Sequence, residues 1–254
     1  MYKTILIALL ALGLFSQCTD RKNNKKSEDV SSSETAISLY SNDTINRIMD
    51  DLNWRYACKI MTGEKVPQEK VDAILDAINL TPTAIGLQAF KVFIIENQEL
   101  KQRIYDEAAP QQPVIGSSHL LVFAAYKDIT PKLLDDFFAL MKRKQGRDEK
   151  WMENYRMQIE HSFANQPEKT QNRLTNQVYI ALGVAVMTAA ELRVDCLPME
   201  GFDSASLDRI LKLEEQGLRS VIMLPLGYRD TEKDNYLKLN KMRKDPDDLF
   251  EIIR

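Results

Sequence analysis

Apolar residues recur at helical spacing in "SNDTINRIMDDLNWRYA", at Ile45, Ile48, Met49 and Leu52, behind the cap candidates Ser41 and Asp43. The segment "PQEKVDAILDAINL" is an amphipathic helix with proline at its start and acids close by. Apolar and β-branched runs then predict strands at "KVFIIEN" and "HLLVFAAYKD", the second buried on both faces, with a helix at "NQELKQRIYDEA" between them. From Pro131 to Gln158 the pattern predicts one or two long helices with polar faces. "LTNQVYIALGVAVMTAAELRV" is so apolar that it belongs in the core. Two more strands follow at "CLPM" and "SVIMLPLGY", separated by the helix "SASLDRILKL". The order is helix-rich with four short strands, an α+β domain. Beyond it, "LFEIIR" is apolar enough for a strand or helix and has the character of an arm reaching a partner subunit.

The first residues follow another pattern. Lys3 precedes an apolar run from Ile5 to Phe15, too short to span a bilayer comfortably and suited to a signal-peptide core. Cys18 follows in "FSQC", like a lipidated cysteine; a secretory signal cleaved nearby, with Cys18 incidental, is the other reading. The basic stretch "RKNNKK" opposes export by the positive-inside tendency, which keeps a cytoplasmic location open against a membrane-anchored lipoprotein of the cell envelope. Residues 19–41 are polar, charged and serine-rich, a flexible tether. The expected organisation is a signal at 1–18, a linker at 19–41 and one folded domain at 42–254.

Composition removes several function classes. A net charge of -3 and a pI near 5.6 give no basic surface for nucleic acid. His119 and His161 alone cannot build a three-histidine metal site, and Cys58 and Cys196 have no CxxC or CxxH spacing. These two thiols are expected to stay separate, although an oxidising compartment would allow pairing if they were within reach. A GxSxG elbow, a P-loop and a GxGxxG fingerprint are all absent from the sequence. His119 reads as structural, Tyr179 and Gln177 as helix packing and polar satisfaction, and Trp54 and Trp151 as core or surface. Two basic groups remain. Arg55 and Lys59 are four apart after the first helix, and Lys241 and Arg243 two apart near the end. Together they would grip a phosphate, arginine bidentately and lysine as a point charge; singly each reads as a solvated charged face. "LPMEGFD", Leu197 to Asp203, is either a simple turn or a backbone contact to a ligand.

"RYACK", "TPTAIGLQAF", "SSHLLVFAA", "QVYIALG", "LPMEGFD" and "LNKMRK" occur in an order and spacing that resembles the nitroreductase family, the FMN-dependent NAD(P)H nitroreductases and dihydropteridine-reductase-like enzymes. The resemblance runs from about Thr44 to the C-terminus. It implies a central, mainly antiparallel sheet of four to five strands flanked by helices, with the C-terminal segment crossing to the partner of a homodimer. It implies FMN, held at its phosphate by Arg55, Lys241 and Arg243, with Tyr56 and Ala57 beside them. Lys59 is implied near flavin N1 and O2, where positive charge favours the reduced ring.

Along the flavin edge the resemblance places Pro198, Met199, Glu200 and Gly201, with the Glu200 or Gly201 amide donating to N5 and O4. Such a donor stabilises the electron-rich ring, and glycine permits the close approach. Pro82, Thr83, Ala84 and Gly86 match the stretch that a second subunit contributes, and Gln111 lies near the pyrimidine ring. Departures from the pattern occur at Ala57, Ala84, Gly86, Ala89, Phe90, Pro110 and Pro113, so several polar contacts to FMN are rerouted. The implied reaction is ping-pong hydride transfer from NAD(P)H through FMN to a planar acceptor such as a nitroaromatic or quinone. The alternative is an exported, lipid-anchored flavin- or ligand-binding module without turnover.

Overall fold

The structure is a computed structural model and describes residues 43–164 and 166–254. The signal segment, Cys18, the linker and Ser41 lie outside the described residues. Helix α1 (Asp43–Trp54) and helix α2 (Gln68–Asn79) come first, followed by strand β1 (Phe90–Ile95), helix α3 (Gln98–Glu107) and the short helix α4 (Gln112–Gly116). Strand β2 (His119–Tyr126) leads into helices α5 (Pro131–Gln145), α6 (Glu149–Phe163) and α7 (Pro167–Glu191). Strand β3 (Asp195–Cys196), helix α8 (Ser204–Ile210), strand β4 (Leu218–Gly227) and helix α9 (Pro246–Leu249) complete the order.

The four strands form one antiparallel sheet in the order β1-β2-β4-β3. β2 is buried along almost its whole length because helices cover both faces of the sheet. Leu121, Phe123 and Ala125 pack with α2, α5, α6 and α7, while Leu120 and Val122 pack with α3 and α8, the two-residue alternation of a strand. The register of β2 against β4 slips between Phe123 and Ala124, leaving Val221 without an opposite residue. Side-chain caps start the helices where the sequence offers them. Asn97 accepts from the Leu100 amide, Thr130 from Leu133 and Asp148 from Trp151.

Three expectations need correction. "CLPM" is a strand only at Asp195–Cys196; Pro198 interrupts it, and Met199 rejoins through an isolated bridge to Met223. α7 begins at Pro167, earlier than its apolar run, and is buried on one face only. Ile180 on the other face is 47% exposed within the chain. "LFEIIR" continues neither as strand nor as helix beyond the single turn of α9, and Phe250, Ile252 and Ile253 stay exposed.

Candidate active site

α1 ends at Trp54, and the chain leaves it alongside β3, with Ala57 bridged in parallel to Cys196. Stacked cations fix this corner. The Arg229 guanidinium lies 4.2 Å from the Trp54 ring centroid and 4.7 Å from that of Tyr56, and Arg193 lies 4.9 Å from Trp54. Arg229 is held by Asp195 at 2.5–2.9 Å and Arg193 by the buried Asp51 at 2.6 Å. The backbone that carries Arg55 is therefore pinned from below by two ion pairs.

Arg55, Tyr56 and Ala57 meet Tyr236, Lys241 and Arg243 around one cavity of about 290 Å³. The two basic groups from opposite ends of the chain thus converge. Burial pulls the Lys241 ammonium below the usual lysine range, and repulsion from Arg55, Arg243 and Arg229 adds to it. Lys241 donates to the Asn53 carbonyl and Arg243 to the Met242 carbonyl at 2.7 Å. Arg55 Nε is buried with no hydrogen-bond partner among the described residues. Crowded cations with an unsatisfied donor are what an anionic ligand relieves.

Asp234 organises the next turn of chain. Its buried carboxylate accepts from Tyr56 OH at 2.9 Å, Lys59 N–H at 2.7 Å, Ile60 N–H at 3.2 Å and Tyr236 N–H at 3.0 Å. Burial favours its neutral form, but these donors outweigh burial and hold it below the usual carboxylate range. Burial, and next the bond to Asp234, push the Tyr56 phenol far up. Lys59 Nζ lies 5.9 Å from the Tyr236 ring centroid, beside the cavity.

A second group of the expected site residues lies around Glu200 and Gly201. Met199 exchanges two backbone hydrogen bonds with Met223, at 2.9 and 3.0 Å, and Asp203 caps α8 through the Ala205 amide. Gln111 Nε2 donates to the Gly201 carbonyl at 2.8 Å, and Tyr179 OH donates to Glu200 Oε1 at 2.7 Å. The Glu200 and Gly201 amides themselves have no acceptor among the described residues. Gly201 has no positive φ, and an added Cβ would meet only Gln111 Nε2, at 3.8 Å. Neither backbone conformation nor packing within the chain requires glycine there. "LPMEGFD" is thus a turn that also leaves two amides without an acceptor among the described residues.

Gln112, the neighbour of Gln111, exchanges two hydrogen bonds with the Met61 backbone, at 2.8 and 2.9 Å. The start of α4 thus ties the Lys59–Met61 segment and the Glu200–Gly201 segment into one frame.

Pro82, Thr83, Ala84 and Gly86 form a tight turn on the surface, with Ile85 and Gly86 at positive φ and Thr83 Oγ1 accepting from the Gln88 amide. Among the described residues no hydrogen bond joins this turn to the Arg55 cavity or to Glu200–Gly201. Cys58 and Cys196 are separate buried thiols, and burial pushes each up to about 12. His119 is structural: Nδ1 meets Ser118 Oγ at 2.8 Å, and Ser118 Oγ accepts from the Val66 amide. Buried Gln177 accepts from the Ala89 amide, the expected polar satisfaction, whereas Tyr179 is an exposed partner of Glu200 rather than packing. The sequence pattern missed Gln112, Asp195, Arg229 and Asp234. "DNYLKLNKMRK" held the one local signal, an acid just ahead of the basic cluster.

Residues 52–228 match the sequence profile of the nitroreductase family. The major NAD(P)H-flavin oxidoreductase of Aliivibrio fischeri is 31% identical over 218 residues, 81% of this chain and 98% of that protein. A nitroreductase-like protein of Streptococcus mutans superposes with a TM-score of 0.72 at 18% identity, covering 83% of this chain and all of the other. An Exiguobacterium sibiricum protein, assigned as a nitroreductase and solved in complex with FMN, gives 0.69 at 16% identity, covering 81% and 97% of the two chains. The antiparallel sheet and a profile that spans it from the end of α1 to the end of β4 lead to one assignment: the chain belongs to the nitroreductase family.

Proposed function

We propose that this protein is an FMN-dependent oxidoreductase that uses NAD(P)H to reduce a planar acceptor such as a nitroaromatic or a quinone. The observation that carries the reading is the convergence of Arg55, Lys241 and Arg243 on one cavity, with Arg55 Nε unsatisfied. The residues present fit FMN. The three cations suit its phosphate dianion, and the Glu200 and Gly201 amides suit a polar ring edge that a side chain at 201 would block. The relative from Aliivibrio fischeri, a flavin oxidoreductase by name, supports the same assignment.

Bound there, FMN would supply two-electron redox chemistry, with NAD(P)H as the electron donor and the planar compound as the acceptor in alternate visits. The chain's own part is positional. Asp234 fixes the backbone at Lys59 and Ile60 and so places the Lys59 charge, which favours a ring that has gained electrons. Gln111 and Gln112 hold the two flanking segments, so that donors are in place before reaction and need no reorganisation.

The functional unit in this proposal is a homodimer, with Pro82–Gly86 offered to the partner's site. Supporting it, Ile45, Ile48 and Leu52 of α1 and Ile180 of α7 are exposed apolar side chains on one chain. A further part of the proposal is export and lipid attachment at Cys18; acylated peptide in a mass spectrum of membrane-extracted protein would support it, and an intact Met1 would refute it.

The test is an absorbance spectrum of the purified full chain before and after anaerobic NADH and NADPH. Flavin bands that bleach with either nucleotide establish the reductase. Bands that persist point to the binding module without turnover, and a colourless chain that takes up no added FMN overturns the assignment.

A further inference from the structure

Tyr179 stands on α7, one turn from Thr175, and its hydroxyl donates to Glu200 Oε1 at 2.7 Å. The Glu200 and Gly201 amides have no acceptor among the described residues. Their peptide is held at three consecutive positions: Met199 by its paired bonds to Met223, Glu200 by Tyr179, and the Gly201 carbonyl by Gln111 at 2.8 Å. Among the described residues, only the Tyr179 bond comes from α7, and only it acts through a side chain of the segment. Without it the Glu200 carboxylate is an exposed group on an exposed loop with no other hydrogen-bond partner among the described residues.

We infer that Tyr179 is a positioning residue for the Glu200–Gly201 amides and, through them, sets how strongly the site favours electron gain by its cofactor. This rests on the FMN reading above. Two effects of the hydroxyl act in the same direction. Holding Glu200 fixes the direction of the adjacent amides, so donors point where negative charge develops. Donating a hydrogen bond to Oε1 also draws carboxylate charge toward α7 and lessens its repulsion of a ring gaining electrons. Tyr179 keeps its proton throughout. Burial, and next the bond to Glu200, push the phenol up to about 12, so it stays a donor across the physiological range.

The test measures the midpoint potential of bound FMN and its dissociation constant in the wild type and in Tyr179→Phe, which removes only the hydroxyl. Thr175→Val serves as the control. It lies on the same helix, and its hydroxyl accepts from Arg219 at 2.6 Å, outside the Glu200 contact. Tyr179→Phe should weaken binding of the reduced cofactor about tenfold more than binding of the oxidised form, a fall in potential of about 30 mV for a two-electron couple. Thr175→Val should leave the potential unchanged. A Tyr179→Phe protein with FMN bound at the wild-type potential, or equal shifts in both variants, overturns the assignment of Tyr179 alone. A wild type that takes up no FMN overturns the FMN reading and this inference with it.

Discussion

Arg229 closes on Asp195 through three side-chain contacts of 2.5–2.9 Å, and a fourth bond runs from the Arg229 amide to the same carboxylate at 2.9 Å. Asp195 is 3% exposed. The guanidinium continues outward to Trp54 and Tyr56, so this pair connects the end of the sheet to the backbone of Arg55. Removing one partner strands the other as a buried, uncompensated charge. Asp195→Ala should cost about 3–5 kcal/mol of stability, measured by urea unfolding, and more than removing an exposed partner such as Glu214 of the Lys127 pair. A loss in Asp195→Ala no larger than that of the surface variant would refute the anchoring role.

The cation cluster makes a prediction about phosphate. Lys241→Ala with Arg243→Ala removes two charge-assisted donors, each worth about 1.5–3 kcal/mol, so FMN affinity should fall by roughly 10²–10⁴-fold. Riboflavin, which lacks the phosphate, should bind both proteins alike. Lys241 also fixes a pH dependence. Its ammonium in the free protein titrates below the ordinary lysine value, because of burial and then Arg55, Arg243 and Arg229. Affinity for FMN should therefore drop as pH rises through that lowered value, while Lys241→Arg should keep its affinity. The sign for folding is the reverse: protonated Lys241 is disfavoured in the free folded chain, and that penalty disappears as pH rises toward the unfolded lysine value. Isothermal titration from neutral to alkaline pH reads the binding effect, and a flat profile for the wild type would remove Lys241 from the phosphate end.

The helices and β2 were legible because their patterns are redundant: α2 repeats its apolar stripe over twelve residues, and β2 is apolar throughout since both faces are covered. The basic groups were legible as residue types but not as a site. Only the path of the chain past Asp234 brings Arg55 to Lys241, and an acid that bonds backbone amides leaves no periodic trace. β3 was overread because "CLPM" has strand composition while Pro198 cannot donate to the ladder. The apolar count of α7 places it in the core but says nothing of what covers its second face. Gln111 and Gln112 look interchangeable in sequence, yet one bonds Gly201 and the other Met61.

Gly116 has its reason in Gln112. A Cβ at position 116 would lie 2.2 Å from Gln112 Nε2, so alanine there pushes the amide off the Met61 backbone. Two hydrogen bonds at about 1 kcal/mol each are lost. Gly116→Ala should destabilise the chain by about 2 kcal/mol, and Gln112→Ala by a similar amount. The double variant should be no worse than either single one, since both remove the same contact. Thermal or urea unfolding of the three proteins decides it: additive losses would separate Gly116 from Gln112.

The uncovered face of α7 makes the last prediction. Ile180, Val184 and Met187 of that helix line a cavity of about 510 Å³ with Ile48 of α1, and Gly183 among them would admit a Cβ without any contact inside the chain. Small and apolar residues at an exposed helix face suit close approach by another copy. Ile180→Asp places a carboxylate on that face, where burial without a partner costs several kcal/mol. If the proposed homodimer forms through this face, the wild type should sediment as two chains and Ile180→Asp as one, with an unchanged far-ultraviolet spectrum because the residue is exposed within its own chain. FMN retention should fall in the same variant, since Pro82–Gly86 then has no neighbouring site to complete. An Ile180→Asp protein that remains dimeric would move the interface elsewhere, and a monomeric wild type with full FMN occupancy would refute the shared site.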